Sequence, residues 1–200
     1  MNRKISLFIS IIFHPVFVNL LSLLLLFNLF PILEFTISTK NKFFYSFLIF
    51  ITTGLFPLVV VGLLKIKDTN LSLFLNKKEE RTIPYITTAC WYLLDYIFCI
   101  SRGAPHLFTS YLLACSCIVV AILIINISYK ISIHSASLGA LSAVLISSSQ
   151  IANFDIRSLL AFLFMITGLT ATARLFLNAH CEHQIYTGFL LGVTIMLLIL

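Results

Sequence analysis

Charge is scarce in this chain. Of 200 residues only 10% are charged, and Asp and Glu together number 7. A soluble domain carries roughly 25% charged residues. With 60% of its residues hydrophobic, a soluble fold of this length could not hide its apolar surface, so lipid is the expected solvent. Other absences narrow the reading. No linker, repeat or low-complexity tract interrupts the sequence, which argues for a single integral membrane domain over 1–200. No basic run is interleaved with exposed aromatics, so the formal charge of +6 does not point to nucleic acid. Loop cations that orient helices and touch anionic headgroups account for it. No small-residue cleavage site follows the first apolar run, which is too long for a signal peptide and reads as a retained span. The 5 cysteines lack a zinc spacing and read as small apolar residues.

What the chain does have is long apolar runs. In lipid such runs mean helices, because a lone strand leaves its backbone unsatisfied. The expected fold is all-α, a polytopic membrane helical bundle of about six to seven transmembrane helices. The candidate spans are Ile5–Leu33, Phe43–Leu64, Ile83–Ser101, His106–Ser128, Ser135–Ala152, Ser158–Leu177 and Ile185–Leu200. The first is long enough to be tilted or partly interfacial. One long polar connection, Lys65–Pro84, contains the apolar stretch "LSLFL", which suits a piece lying on the membrane surface.

With the N-terminus on side one, that side receives Arg3, Lys4, Lys65, Lys67, Lys77, Lys78, Arg81, Lys130 and Arg174. Side two receives Lys40, Lys42, Arg102 and Arg157. The excess favours side one as cytoplasmic. The expected location is a bacterial inner membrane, as a multi-pass protein.

Three polar clusters interrupt the apolar background: "NKKEERTIPY" from Asn76, "YKISIHSAS" from Tyr129, and "ARLFLNAHCEHQIYTG" from Ala173. Two spans separate the first from the second, and two more separate the second from the third. An even number of crossings returns the chain to the same side, so all three face one membrane surface. Together they bring Lys77, Lys78, Arg81, Lys130 and Arg174 as cations, with His134 and His180 as groups that titrate near neutral pH. Cations around a histidine suit a dianionic phosphate, whose oxygens an arginine fork binds in pairs. One imidazole can attack phosphorus and a second can protonate the leaving oxygen. The carboxylates Asp68, Glu79, Glu80 and Glu182 form no metal-binding spacing with these histidines, so neither metal nor other cofactor is expected.

These residues resemble a family. Arg174, five residues, His180, three residues, Gln184 is similar to the third signature of the type 2 phosphatidic acid phosphatase superfamily, Ser-Arg-x5-His-x3-Asp. "SIHSA" from Ser132 resembles its second signature, Pro-Ser-Gly-His, and "KKEERTIP" from Lys77 more loosely resembles its first, Lys-x6-Arg-Pro. The order along the chain is also the family's. The resemblance covers a phosphatase-like core of about 77–192. It implies a membrane phosphatase that cleaves a lipid phosphate or pyrophosphate through a phosphohistidine, without metal. His180 would be the nucleophile and His134 the general acid. Arg81 and Arg174 would hold phosphate oxygens, and Ser132 would donate to one. The family's lysine position falls on Phe74, leaving Lys77, Lys78 or Lys130 to substitute. Ala173, Ile131 and Ile133 also depart from the signatures, and Pro84 is displaced from Arg81. The largest departure is Gln184, which stands where the family has the aspartate that orients the nucleophile.

Three functions therefore stand beside each other. One is a phosphoric-ester hydrolase acting on a lipid phosphate. The second is a catalytically inactive descendant that binds phospholipid or polyprenyl phosphate, which Gln184 favours. The third, an unrelated small transporter, calls for polar residues near the midplane, where Asp95 and Asn126 are the main examples. The lipid, the oligomeric state and the side that the site faces stay open. Near the first span's start, "FHPVF" places His14 either as a kink residue packed between helices or as a lining residue of a lipid pocket.

Overall fold

Pro15 breaks the first apolar run. Its ring collides with the carbonyl four residues back and pushes the preceding residue out of helical geometry. His14 is accordingly extended, with φ −64° and ψ 142°. The computed structural model describes residues 2–67, 78–152 and 155–200. Lys77 and the "LSLFL" stretch lie outside them. In place of one long helix over Ile5–Leu33, the chain forms α1 (Arg3–Ile12) and α2 (Pro15–Leu29), bent by 40°. The imidazole of His14 caps α2 by accepting from the Val16 N–H at 3.4 Å.

A short α3 (Pro31–Thr36) leads to α4 (Thr39–Ile49), which continues through a π-helical turn, Phe50–Leu55, into α5 (Phe56–Lys67). The wide turn ends just before Pro57, which has no N–H to give, a known setting for such an irregularity. A 3-10 turn, Glu79–Arg81, opens α6 (Thr82–Ser101). Then come α7 (His106–Asn126), α8 (Ile133–Ala152), α9 (Arg157–Phe176) and α10 (Glu182–Ile199). Each of the seven predicted spans is thus helical, and the fold is an all-α membrane bundle.

Among the described residues, five helical stretches are long and apolar enough to cross a membrane, and the bent α1–α2 pair makes a sixth if it counts as one span. Helix α8 differs from these in its surroundings. It is as long as its neighbours but rich in serine, and it packs against α2, α9 and α10. From His134 to Leu145 its side chains are buried. Its serines turn inward onto their own helix: Ser137 donates to the His134 carbonyl at 3.0 Å and Ser142 to that of Leu138 at 2.9 Å. The helix meets protein on every side along this stretch. Its tightest neighbour is α10, where Gly192 presses on the Ala136 carbonyl. Such small-residue contacts let helix backbones approach in a membrane. Lipid instead faces large apolar side chains such as Phe47, Leu94, Phe162 and Leu190, all exposed.

Candidate active site

Four of the residues singled out in the three polar clusters line one cavity of about 240 Å³: Arg81, His134, Arg174 and His180. Each is delivered by the end of a helix. Arg81 closes the 3-10 turn ahead of α6, and His134 lies in the first turn of α8. Arg174 lies in the last turn of α9, and His180 in the connection to α10. That connection is a tight reversal. Asn178 adopts φ +52°, its N–H bonds the Leu175 carbonyl at 2.9 Å, and the Ala179 N–H bonds that of Arg174 at 3.1 Å. This pair is a Schellman cap, and asparagine tolerates the left-handed conformation it needs. The reversal carries His180 back over Arg174.

Away from these four residues the lining is mostly apolar, with scattered hydroxyls and one amide. Along α6 the lining residues are Arg81, Pro84, Tyr85, Thr88 and Tyr92, one face of a helix. Eleven residues separate the first from the last, a depth of about 16 Å at helical rise. Ile118, Val119 and Ile122 of α7 face this stripe across the cavity. At the deep end the Tyr92 hydroxyl accepts from the Asn19 amide at 2.9 Å.

His180 is held by Gln184, whose Oε1 lies 3.0 Å from the ring Nδ1 and also accepts from the Cys181 N–H at 3.3 Å. A backbone N–H can only donate, so the amide atom facing it is the oxygen. That oxygen in turn requires a hydrogen on Nδ1 of His180. The Nε2 lone pair is then free. Burial first, then the charges of Arg81 and Arg174, push this imidazole down from 6.5 to about 3, against the opposing bond from Gln184. His180 is therefore neutral near pH 7. Gln184 does not line the cavity; it acts through His180.

His134 is anchored from the other side. Its Nε2 donates to the Ser10 carbonyl at 3.2 Å, while its Nδ1 is buried without a partner. The Nε of Arg174 is likewise buried and unpartnered. Tyr85, one turn into α6, is hydrogen-bonded to Arg81.

Other expected site residues have different surroundings. Ser132 is fully buried, and its hydroxyl accepts from the Ser135 N–H at 3.4 Å and the Ser135 hydroxyl at 3.1 Å. It caps α8 and does not line the cavity. Lys78 donates to the Ile127 carbonyl at 2.7 Å, where a cation complements the end of α7. Lys130 stands nearest the arginines in electrostatic terms. Burial, then Arg81 and Arg174, lower its ammonium pKa, with Glu80 opposing. Among the described residues, no group of three or more His, Cys, Asp or Glu forms a metal-binding set.

His14 and Ser10 also line the cavity. For His14 both sequence readings hold at once, since it caps the kinked helix and faces the pocket. Its ring lies edge-on to that of His134, with centroids 5.5 Å apart. The only sequence signal for it was a histidine beside a proline, a few turns from the side-one end. Ser10 gave no signal, because its contribution is a backbone carbonyl.

No family model, curated protein or solved structure matches this chain. The family resemblance rests on the three motifs alone.

Proposed function

We propose that the chain is a membrane lipid phosphatase or pyrophosphatase that forms a phosphohistidine on His180. The observation that carries this reading is the cavity itself. Two arginines and two histidines, drawn from three separate segments, line it together, and most of the remaining wall is apolar. A phosphate monoester or diphosphate fits the cations, and a hydrocarbon tail fits the wall. The unpartnered Arg174 Nε–H is the kind of buried donor that a bound anion would satisfy, and the His134 Nδ1 would donate to that anion once protonated.

In this mechanism Nε2 of His180 attacks phosphorus while Nδ1–H stays on Gln184. The bond from phosphorus to the lipid oxygen breaks, and His134, protonated at Nδ1 beside the bound dianion, gives that oxygen its proton. Neutral His134 then takes a proton from water, which cleaves the phosphorus–nitrogen bond and releases inorganic phosphate. The Ser10 carbonyl steadies the His134 ring in both states.

Gln184 supports a second reading, a catalytically inactive protein that binds phospholipid or polyprenyl phosphate. It brings no negative charge to the imidazolium that would form on His180. One experiment separates the two: phosphate release from a panel of lipid phosphates by purified protein, with and without a chelator. Release that survives chelation and disappears in His180→Ala is expected. Binding without release favours the second reading. Helical spans, in contrast to closed barrels, suit a bacterial inner membrane, which is where we place the protein.

A further inference from the structure

We infer that the break between α1 and α2 is a working part of the phosphate site, with His14 a hydrogen-bond donor to the bound phosphoryl group and the Ser10 carbonyl a positioning group for His134. The inference rests on the phosphate-site reading above. It involves residues outside the segment that carries the family resemblance, and it follows from backbone geometry.

In an unbroken helix the Ser10 carbonyl would accept from the N–H of His14. The kink at Pro15 prevents this, and the His14 N–H turns to the Ile11 carbonyl at 3.2 Å. The Ser10 carbonyl is thereby released to accept from Nε2 of His134 at 3.2 Å. A freed carbonyl at a helix break is a fixed dipole, and here it is aimed at an imidazole on another helix. It fixes hydrogen on Nε2 of His134 and leaves Nδ1 as the atom that exchanges a proton.

The same break fixes the tautomer of His14. Its Nδ1 accepts from the Val16 N–H at 3.4 Å, so the neutral ring carries hydrogen on Nε2. A proton on Nδ1 would oppose the Val16 N–H, which makes His14 a poor base and a steady neutral donor. His14 shares the cavity lining with Arg81, Arg174 and His180. The Arg174 guanidinium lies within electrostatic reach of both His14 and His134. A phosphoryl group bound by Arg174 shares this cavity with His14, whose Nε2–H is the donor we assign to it. A neutral donor adds a hydrogen bond without adding to the crowd of positive charge already there.

The test uses the full chain in detergent, with inorganic phosphate as the binding probe. His14→Phe keeps an aromatic ring against His134 but removes both nitrogens. His14→Gln restores a donor. Phosphate affinity is expected to fall about tenfold in His14→Phe and to recover at least in part in His14→Gln, with thermal melting confirming that both variants are folded. Pro15→Ala allows the helix to continue and recaptures the Ser10 carbonyl. It is expected to lower phosphate affinity as His14→Phe does, because the same break orients His14. It should also slow phosphohistidine formation from an alkyl phosphate, whose leaving oxygen needs a proton, more than from an aryl phosphate, whose leaving oxygen does not. Wild-type phosphate affinity in folded His14→Phe, or equal slowing with both leaving groups in Pro15→Ala, overturns the inference and leaves the phosphatase reading standing. A folded wild type that neither binds nor releases phosphate overturns both.

Discussion

Gly188 of α10 lies directly against Ser132 at the entrance of α8: a Cβ on the glycine would sit 2.5 Å from the Ser132 carbonyl. Beside this contact the Ser132 N–H donates to the Gln184 carbonyl at 3.1 Å. The second and third polar clusters are thus clasped together by backbone alone. Gly188→Ala would wedge the clasp apart and shift Gln184, and with it the ring of His180. A loss of about 1–3 kcal/mol in stability is expected, as for other overpacked contacts, together with a larger loss of turnover than stability alone explains. Thermal melting and phosphate release in the same detergent measure the two. An unchanged melting temperature would show that the backbones separate freely.

Arg174 offers a sharper test of anion binding, because its Nε has no partner among the described residues. Arg174→Gln should weaken inorganic phosphate binding about 10- to 100-fold, the scale of charge-assisted hydrogen bonds. Arg174→Lys should recover only part of this, since an ammonium lacks the planar fork. Titration with phosphate at fixed ionic strength reads both. Full recovery by lysine would reduce the site to a point charge.

The lowered pKa of His180 has a consequence for stability. Its folded value is about 3 against an ordinary 6.5, so between these values the unfolded chain binds a proton that the folded chain refuses. Stability contributed by neutral His180 is fully present above about 6.5 and is lost as pH falls toward about 3. The melting temperature of solubilised protein should therefore drop through this window, and less steeply in His180→Asn. Identical slopes in the two proteins would place the pH dependence elsewhere.

Gln184 decides between the enzyme and the binding protein. Gln184→Asp adds the missing charge beside Nδ1 of His180, on a side chain one methylene shorter. Removing the corresponding charge from a serine-protease triad costs about 10⁴ in rate. Turnover is expected to rise or stay equal in Gln184→Asp, with more trapped phosphohistidine, and to vanish in His180→Ala. If wild type and His180→Ala turn over equally, His180 takes no part in the chemistry.

Much of the architecture can be read from the chain because lipid imposes so simple a rule. Every long apolar run had to be a helix, and parity of crossings put Arg81, His134 and Arg174 at one surface. Lateral arrangement is another matter. Which helix lies beside which depends on close contacts at residues such as Gly188 and Gly192, and a lone glycine in an apolar run does not announce its neighbour. Ser132 shows the same limit at the site. A serine before a helix can cap it or bind a ligand, and only the positions of the Ser135 N–H and hydroxyl reveal that it caps. The contribution of Ser10 could not be read at all, since a backbone carbonyl has no residue type. Lys130, in contrast to Lys78, is distinguished only by which loop end each one reaches.

The enclosure of α8 bears on how the protein is made. Its closest partner, α10, comes later in the chain. When α8 leaves the ribosome that partner has not been synthesised. The face of α8 that α10 covers therefore stays open until α10 arrives with Gly188 and Gly192 to close over it. Only then can Ser132 bond the Gln184 carbonyl and tie the loop that carries His180 to the entrance of α8.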